Sequence, residues 1–294
     1  MDFHIPVLSI ETINLLNVQK NKVYVDGTLG HGGHTLEILK QGGIVFGIDQ
    51  DPENLKIATN RIKEDGFEKQ FFPIHNNFNQ LENIVNQNIK QKIDGLIIDL
   101  GLSQNQQIGQ NRGFSFNDET SLDMRLDPEN QELTAEEIIN TYDYDELFEI
   151  FSKYAQEIYS KPLVLKIIRE RQKSPIKTAI KLANIVRDFY KERHLKSKID
   201  PSTKIFMSLR IVVNNEFNNL KNLLSQSLKT ITKDGNVCII SFHSGEDRIV
   251  KQFIRDYSDQ KIIIENKKPI KASFEEIKKN PLSRSATLRS YRIV

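Results

Sequence analysis

The chain has 294 residues, of which 38% are hydrophobic and 27% charged, a composition typical of folded globular proteins with one or two domains. Its net charge of +2 does not by itself indicate nucleic-acid binding, and no apolar run reaches the length of a membrane-spanning helix. The single cysteine, Cys238, excludes an internal disulfide, and no cluster of metal ligands is apparent. The first residues carry acids and no basic stretch, so we expect no signal peptide. These features favour a cytoplasmic enzyme without a membrane partner, and they give no support for a metal requirement.

The first hundred residues alternate short apolar strands with amphipathic helices. The predicted strands are 23–25, 44–48, 71–74 and 95–99, and the predicted helices are 35–40, 52–64 and 78–89. This alternation indicates βαβ units and a parallel sheet. Such sheets bind their ligands at the carboxyl ends of the strands, where Asp26, Asp49 and Asp99 are expected.

The middle of the chain has a different pattern. Residues 101–119 form a polar loop, and 134–193 are predicted to be helical, with helices at 143–153, 163–172 and 179–190. A long helical period follows at 203–228, and strands return at 236–241 and 261–265. The simplest architecture is an α/β domain made of 1–110 and 203–294, interrupted by a helical insertion at 111–202.

A glycine-rich segment, Asp26-Gly-Thr-Leu-Gly-His-Gly-Gly-His34, follows the first strand. Its glycines do not have the G-x-G-x-x-G spacing of a dinucleotide site, and Asp26 would repel a pyrophosphate. A carboxylate there suits the cationic methionine end of S-adenosylmethionine, so we predict that cofactor rather than NAD. The alternative is a tight turn without a ligand, which would not need four glycines.

The ends of the second and third predicted strands each supply one candidate for a cofactor contact. Asp49 ends the second strand and is placed to accept hydrogen bonds from ribose hydroxyls. Its alternative role is to cap the following helix, for which Asp51 is better placed. Phe78 follows the third strand and could lie against an adenine ring or belong to the core; its position alone does not decide.

Asp99, at the end of the fourth strand, is the first candidate for a catalytic contact. An exocyclic amine needs an acceptor that orients its lone pair towards the methyl group, and a carboxylate can also take up the proton. Its alternative role is to cap the next loop.

Gln106 could bond to the cofactor or a base. His243, after the fifth strand, faces the ligand side or is structural, and Ser244 is predicted to cap the next helix with Asp247.

Mixed charge and aromatic residues occupy 111–116 (NRGFSF) and 122–126 (LDMRL). Phe114 and Phe116 could stack on an unpaired base, and Arg112 and Arg125 could hold phosphates. The alternative is an Arg–Asp pair and two core aromatics.

Several segments together resemble the bacterial ribosomal RNA small-subunit methyltransferase H (MraW) family. They are His4-Ile-Pro-Val-Leu8, the glycine loop, Asp99-Leu-Gly-Leu-Ser103, Arg112-Gly-Phe-Ser-Phe116, Leu122-Asp-Met-Arg125, Leu209-Arg-Ile-Val-Val-Asn214, Ser241-Phe-His-Ser244, Glu246-Asp-Arg248 and Ser283-Arg-Ser285. The resemblance implies methyl transfer from S-adenosylmethionine to the N4 amine of a cytidine in the decoding region of 16S rRNA. It also implies a Rossmann-like class I methyltransferase sheet with an inserted helical domain that helps to hold RNA.

The resemblance carries over to individual positions. It implies cofactor contacts at Gly32, Gly33, His34, Asp49, Phe78, Asp99 and Gln106. With Asp99 as the catalytic contact, His243 and Asp123 become candidates for shaping the base pocket. Candidates for the RNA backbone are Arg112, Arg125, Lys204 and Arg210. The sequence departs from the family pattern at Gln104, Met207, Gly245 and Leu282, and Met207 and Leu282 fall on the expected RNA side.

Three other functions fit the sequence less well. A non-catalytic RNA-binding ribosome assembly factor on the same fold is disfavoured by the intact glycine loop and Asp99, and an NAD-dependent oxidoreductase by the glycine spacing. A DNA amino-methyltransferase would carry Asn/Asp-Pro-Pro-Tyr/Phe where this chain has Asp99-Leu-Gly-Leu. The expected partner is 16S rRNA in the small ribosomal subunit, and the sequence leaves a homodimer open.

Overall fold

The computed structural model describes residues 5–103, 106, 111–258 and 260–294. The chain divides into two compact units, which we call the sheet unit (1–103 and 217–294) and the helical unit (104–216). None of the helices in the described ranges is both long and apolar enough to cross a membrane.

The sheet unit contains a seven-stranded sheet with the order β3-β2-β1-β4-β5-β7-β6. The strands are β1 (Val23–Asp26), β2 (Ile44–Asp49), β3 (Phe71–His75), β4 (Ile93–Asp99), β5 (Ile231–Ser241), β6 (Ile262–Ile264) and β7 (Thr287–Ile293). The first five pair in parallel, which confirms the predicted α/β Rossmann-like fold. β7 runs antiparallel to β5 and β6, which the expectation of a parallel sheet did not include.

Both faces of the sheet are buried. Val25 and Ile98 belong to one apolar cluster, whereas their neighbours Tyr24 and Ile97 belong to another. Because successive side chains of a strand point to opposite faces, the two clusters cover the two sides of the sheet. Strands that are buried on both faces need apolar residues at nearly every position, which explains the near-continuous apolar runs in the sequence.

Helices connect the parallel strands. The connecting helices of β1–β4 are α2 (Gly33–Lys40), α3 (Pro52–Glu64) and α4 (Leu81–Ile84), and α1 (Ser9–Leu16) precedes β1. Asp51 accepts a hydrogen bond from the Glu53 backbone N–H at 3.1 Å and caps α3, which confirms its predicted capping role. The predicted helix 78–89 is divided into a 3₁₀ turn (Phe78–Gln80), α4 and a π-helical turn (Val85–Ile89).

The helical unit has its own apolar core. Its helices are α5 (Ala135–Thr141), α6 (Tyr144–Lys153), α7 (Ser160–Lys173), α8 (Ala179–Glu192) and α9 (Ser202–Val213). The predicted insertion ended at residue 202, but α9 lies in the helical unit because Ile205, Phe206 and Leu209 are buried in that core.

The prediction of one long helix at 203–228 is wrong, because the helix is interrupted after α9. Asn215 has a positive φ of 50°, and the side-chain amide of Asn214 donates to the Met124 carbonyl at 2.8 Å. Asparagine tolerates the left-handed conformation better than most residues, so this pair can end the helix. The chain continues as α10 (Glu216–Thr230), α11 (Ser244–Tyr257) and α12 (Phe274–Lys279).

Candidate active site

The glycine loop turns sharply from β1 into α2. Gly30 and Gly32 have positive φ angles of 50° and 76°, which residues with a Cβ rarely adopt. A Cβ on Gly32 would also come within 3.3 Å of Ile62 Cδ1, and one on Gly33 within 3.1 Å of Pro6 Cβ. The loop therefore places bare backbone at the carboxyl end of β1.

Asp26 stabilises this loop through hydrogen bonds to Thr28 and Thr35. It is 2% exposed and accepts hydrogen bonds from the Thr35 hydroxyl at 2.7 Å and the Thr28 backbone N–H at 3.2 Å. Burial raises the pKa of its carboxyl. Its two oxygens hold the loop in place, a structural role alongside the electrostatic one predicted for it.

Asp49 lies at the end of β2, directly beside the loop. One oxygen accepts from the Gly30 backbone N–H at 2.8 Å and from the Asn54 amide at 3.2 Å, and the other accepts from the Asp51 N–H at 2.9 Å. Burial raises its pKa to about 7, although these hydrogen bonds favour the carboxylate. The side chain remains partly exposed, so a ligand hydroxyl can reach it.

Asp99 ends β4 beside the same loop. Its backbone N–H donates to the Thr28 hydroxyl at 2.6 Å, and its Oδ1 accepts from the Gly101 N–H at 3.2 Å. His34 Nε2 lies 3.7 Å from Asp99 Oδ2. The Asp99 side chain is 22% exposed, which leaves a carboxylate oxygen accessible at the strand end.

His34, in the first turn of α2, is buried at 6% exposure. Within the described ranges, neither of its ring nitrogens has a hydrogen-bond partner. A buried polar group without a partner costs about 1–3 kcal/mol, so this ring is suited to a ligand group that would satisfy it.

Phe78 follows β3 and begins the 3₁₀ turn. It packs against the core cluster that covers one sheet face but is only half-buried. The exposed part of the ring can still contact an adenine. The buried part contributes to the core, as the alternative prediction for Phe78 expected.

His243 is the N-cap of α11. Its Nδ1 accepts from the Glu246 N–H at 3.4 Å, and the Glu246 side chain accepts from the His243 N–H at 3.3 Å. The predicted cap, Ser244 with Asp247, is therefore wrong by one residue; Asp247 instead binds Arg289 at 2.7 Å. His243 remains partly exposed, with its ring 5.7 Å from that of Phe217.

The remaining candidates belong to the helical unit. Asp123 and Arg125 form a two-point ion pair with both distances 2.7 Å, which is the Arg–Asp alternative considered above. Arg210 pairs in the same way with Glu216 at 2.7 and 3.0 Å. Lys204 is exposed on α9.

Two further positions complete this set. The Arg112 guanidinium lies 5.7 Å from the centre of the Phe114 ring, and Gln106 is 4% exposed. Phe114 and Phe116 pack against the helical core, as the alternative reading expected. His4 and Gln104 lie outside the described residues.

The structure brings together six candidates of the sheet unit at the carboxyl ends of β1–β4. They are Gly32, Gly33, His34, Asp49, Phe78 and Asp99. Sequence reasoning missed Thr28, whose hydroxyl and backbone N–H link Asp99 to Asp26. The sequence signal that could have identified Thr28 was its place inside the glycine-rich segment, two residues after Asp26.

The sequence pattern of the MraW methylase family matches residues 1–294. The chain belongs to this family. A ribosomal RNA small subunit methyltransferase H from Halothermothrix orenii is 38% identical over 97% of both chains, and one from Mycoplasma capricolum is 37% identical over 98% of both. Among solved structures, an rRNA methylase from Streptococcus thermophilus is 10% identical with a TM-score of 0.47, covering 97% of this chain and 95% of that chain.

Membership of the MraW methylase family confirms the predicted methyltransferase, with S-adenosylmethionine as the methyl donor. The site residues fit this cofactor. The nearest atoms to a Cβ on Gly30, Ser103 Cβ and the Thr28 carbonyl oxygen, would be 4.0 Å away, so the backbone there is open to a ligand. Asp49 offers an acceptor for ribose hydroxyls. The ring nitrogens of His34, which have no hydrogen-bond partner among the described residues, offer further polar contacts at the same strand ends.

Proposed function

We propose that this methyltransferase transfers a methyl group to the N4 amine of a cytidine in the decoding region of 16S rRNA. The observation that carries the proposal is the accessible carboxylate of Asp99, set at the end of β4 beside the glycine loop. The names of the full-length relatives support small-subunit rRNA as the substrate, and the motifs that resemble the family support the N4 position.

Asp99 performs the central step on the acceptor. When bound, the cofactor supplies an electrophilic methyl group on a sulfonium. The Asp99 carboxylate accepts a hydrogen bond from the N4 amine, which turns the nitrogen lone pair towards that methyl, and it then takes up the proton that the amine loses. Most of the rate enhancement comes from this alignment.

The other residues of the sheet unit hold the cofactor in this proposal. Asp49 accepts from the ribose hydroxyls, and Phe78 lies against the adenine. Gly32, Gly33 and His34 contact the methionine portion. His243 helps to shape the pocket for the base, which has to leave its stack to reach the methyl group.

The helical unit is proposed to recognise RNA. Lys204 is exposed and can neutralise a phosphate directly. Arg125 and Arg210, each paired with a carboxylate, and Arg112, which lies beside Phe114, are proposed to contact phosphate oxygens when the RNA binds.

The first experiment is methyl transfer in vitro. Purified protein is incubated with labelled S-adenosylmethionine and small ribosomal subunits from a strain that lacks the gene, and the digested rRNA nucleosides are identified by mass. Label in N4-methylcytidine supports the proposal. Cofactor binding without label would favour the alternative, a non-catalytic assembly factor, and label in another nucleoside would overturn the N4 assignment.

A further inference from the structure

We propose that the segment before β7 carries a second RNA-binding surface, on which one base of a single-stranded substrate segment stacks on Phe274 while nearby lysines hold its phosphates. We call this the Phe274 surface: Phe274 with Lys267, Lys268, Lys271, Lys278 and Lys279. The inference rests on the proposed function, because it assigns the partner of this surface to the RNA substrate.

The first observation is exposure. Phe274 is the first residue of α12 and is 80% exposed, although a phenylalanine ring normally contributes its area to a core. The five lysines of the surface are also exposed. Solvated aromatic rings among cations are the usual platform for unpaired bases, since every base has a face that can stack.

The second observation is charge. Residues 266–284 contain six Lys or Arg residues and two Glu residues, whereas the whole chain has a net charge of only +2. One of the two acids, Glu276, is engaged internally, because its carboxylate accepts from the Leu8 backbone N–H at 2.7 Å. The surface is therefore complementary to a phosphate backbone.

The third observation is position. Thr287, at the start of β7, pairs with Ser241 at the end of β5, and Ile240 pairs with Asp99 at the end of β4. Because β7 is antiparallel to β5, the segment that precedes it lies at the same sheet edge as Asp99, with Thr287 about two strand spacings, or ~10 Å, away. This is the edge at which the acceptor nucleotide has to bind.

Hydrogen bonds also tie this segment to residues 5–8, which pack against the glycine loop. The Asn280 amide donates to the Ile5 carbonyl at 3.1 Å, and Glu276 holds the Leu8 N–H. Between these contacts, Pro6 lies where a Cβ on Gly33 would meet its ring at 3.1–3.3 Å. The segment is thus fixed beside the site through Ile5–Leu8, so a strand bound on Phe274 would be held close to the reacting nucleotide.

The test measures binding of a fluorescent ten-nucleotide oligouridine to the full chain. Phe274→Ala is expected to weaken binding about 5- to 150-fold, the effect of losing one stacked base, and Phe274→Trp to restore it. Lys278→Ala with Lys279→Ala is expected to reduce the slope of log K against log salt by about 1.4, as two lost phosphate contacts require. The KM for small subunits should rise with the loss of RNA binding.

Matched controls lie elsewhere in the sheet unit. Phe72→Ala removes a 43% exposed ring from β3, the edge strand on the opposite side of the sheet from β7. Lys90→Ala with Lys92→Ala removes two exposed cations just before β4. Equal losses in the controls, or wild-type RNA binding by Phe274→Ala, would overturn the inference. A raised KM for subunits with unchanged binding of oligouridine would also overturn it and point to a ribosomal protein as the partner. Because the binding assay does not depend on methyl transfer, its outcome is separate from that of the proposed function.

Discussion

His34 Nε2 and Asp99 Oδ2 lie 3.7 Å apart at the carboxyl ends of β1 and β4, too far for a hydrogen bond and close enough for one ligand to contact both. The two residues come from separate parts of the chain, and the parallel pairing of β1 with β4 brings them together. This arrangement leaves a buried polar ring and an accessible carboxylate available at the same place, which makes their roles separable by mutation.

Replacement of Asp99 by alanine is expected to lower kcat for methyl transfer to small subunits by a factor on the order of 10²–10⁴, because the amine loses its acceptor. Cofactor binding, measured by calorimetry, should change much less. Asp94→Asn, at the opposite end of the same strand, is the control and should keep wild-type activity. Wild-type rates in Asp99→Ala would show that another group orients the amine.

His34→Leu is expected to have opposite effects on folding and on binding. No residue in the described part of the chain hydrogen-bonds to this buried imidazole, so its removal should leave the free energy of unfolding unchanged or raise it by about 1 kcal/mol, since a desolvation penalty disappears. The same change should weaken cofactor binding at least about fivefold, because a polar contact is lost. Urea unfolding and calorimetry measure the two quantities. A destabilised protein with normal affinity would assign His34 to the fold alone.

Cofactor affinity should depend on pH through Asp49. Burial raises its pKa to about 7 from an ordinary value near 4, so the free protein holds the protonated carboxyl below pH 7. Ribose hydroxyls donate to the ionised form, and affinity should therefore rise up to about tenfold per unit between pH 5 and 7 and level off above pH 7.

The linked effect on stability has the opposite sign. A raised pKa in the folded state contributes stability below pH 4 that is lost as the pH rises to 7, so the unliganded protein should lose unfolding free energy over this window. Asp49→Asn removes the titrating group, and its binding profile should be flatter than that of the wild type. Parallel profiles for the two proteins would assign the pH dependence to another group.

The part of the site that lies at the ends of the parallel strands β1, β2 and β4 could be predicted from the sequence. Apolar runs that end on Asp26, Asp49 and Asp99 indicate parallel strands, and the ends of such strands share one edge. Contacts between distant segments could not be predicted this way. No local pattern places Pro6 against Gly33 or Glu276 against Leu8, and the reversed direction of β7 depends on the sheet edge that it joins.

Local competition between residues accounts for the other differences. Asn214 and Asn215 interrupt a continuous helical period because a side-chain hydrogen bond and a left-handed residue outweigh the apolar periodicity. The cap of α11 is His243 rather than Ser244 because the Glu246 carboxylate accepts hydrogen bonds from the backbone N–H groups of Phe242 and His243, which completes a capping box at His243. Propensity alone ranks serine above histidine at this position.

Two basic residues of the helical unit should respond differently to removal. Arg125 binds both oxygens of Asp123 and also donates to the Gln131 carbonyl at 2.7 Å, with its side chain 22% exposed. Arg125→Ala should therefore lower the unfolding free energy by about 1–3 kcal/mol because carbonyl and carboxylate groups lose their donor. Lys204→Ala should leave stability within about 0.5 kcal/mol, since an exposed lysine contributes little.

The same two variants separate support of the fold from RNA binding. Lys204→Ala is expected to reduce the salt dependence of binding to small subunits by about one phosphate contact, which filter binding at several salt concentrations would measure. A Lys204→Arg variant should keep the wild-type slope because the charge is preserved. If Lys204→Ala binds with an unchanged slope while Arg125→Ala loses affinity without losing stability, the RNA contact lies at the Arg125 pair and the assignment of Lys204 is wrong.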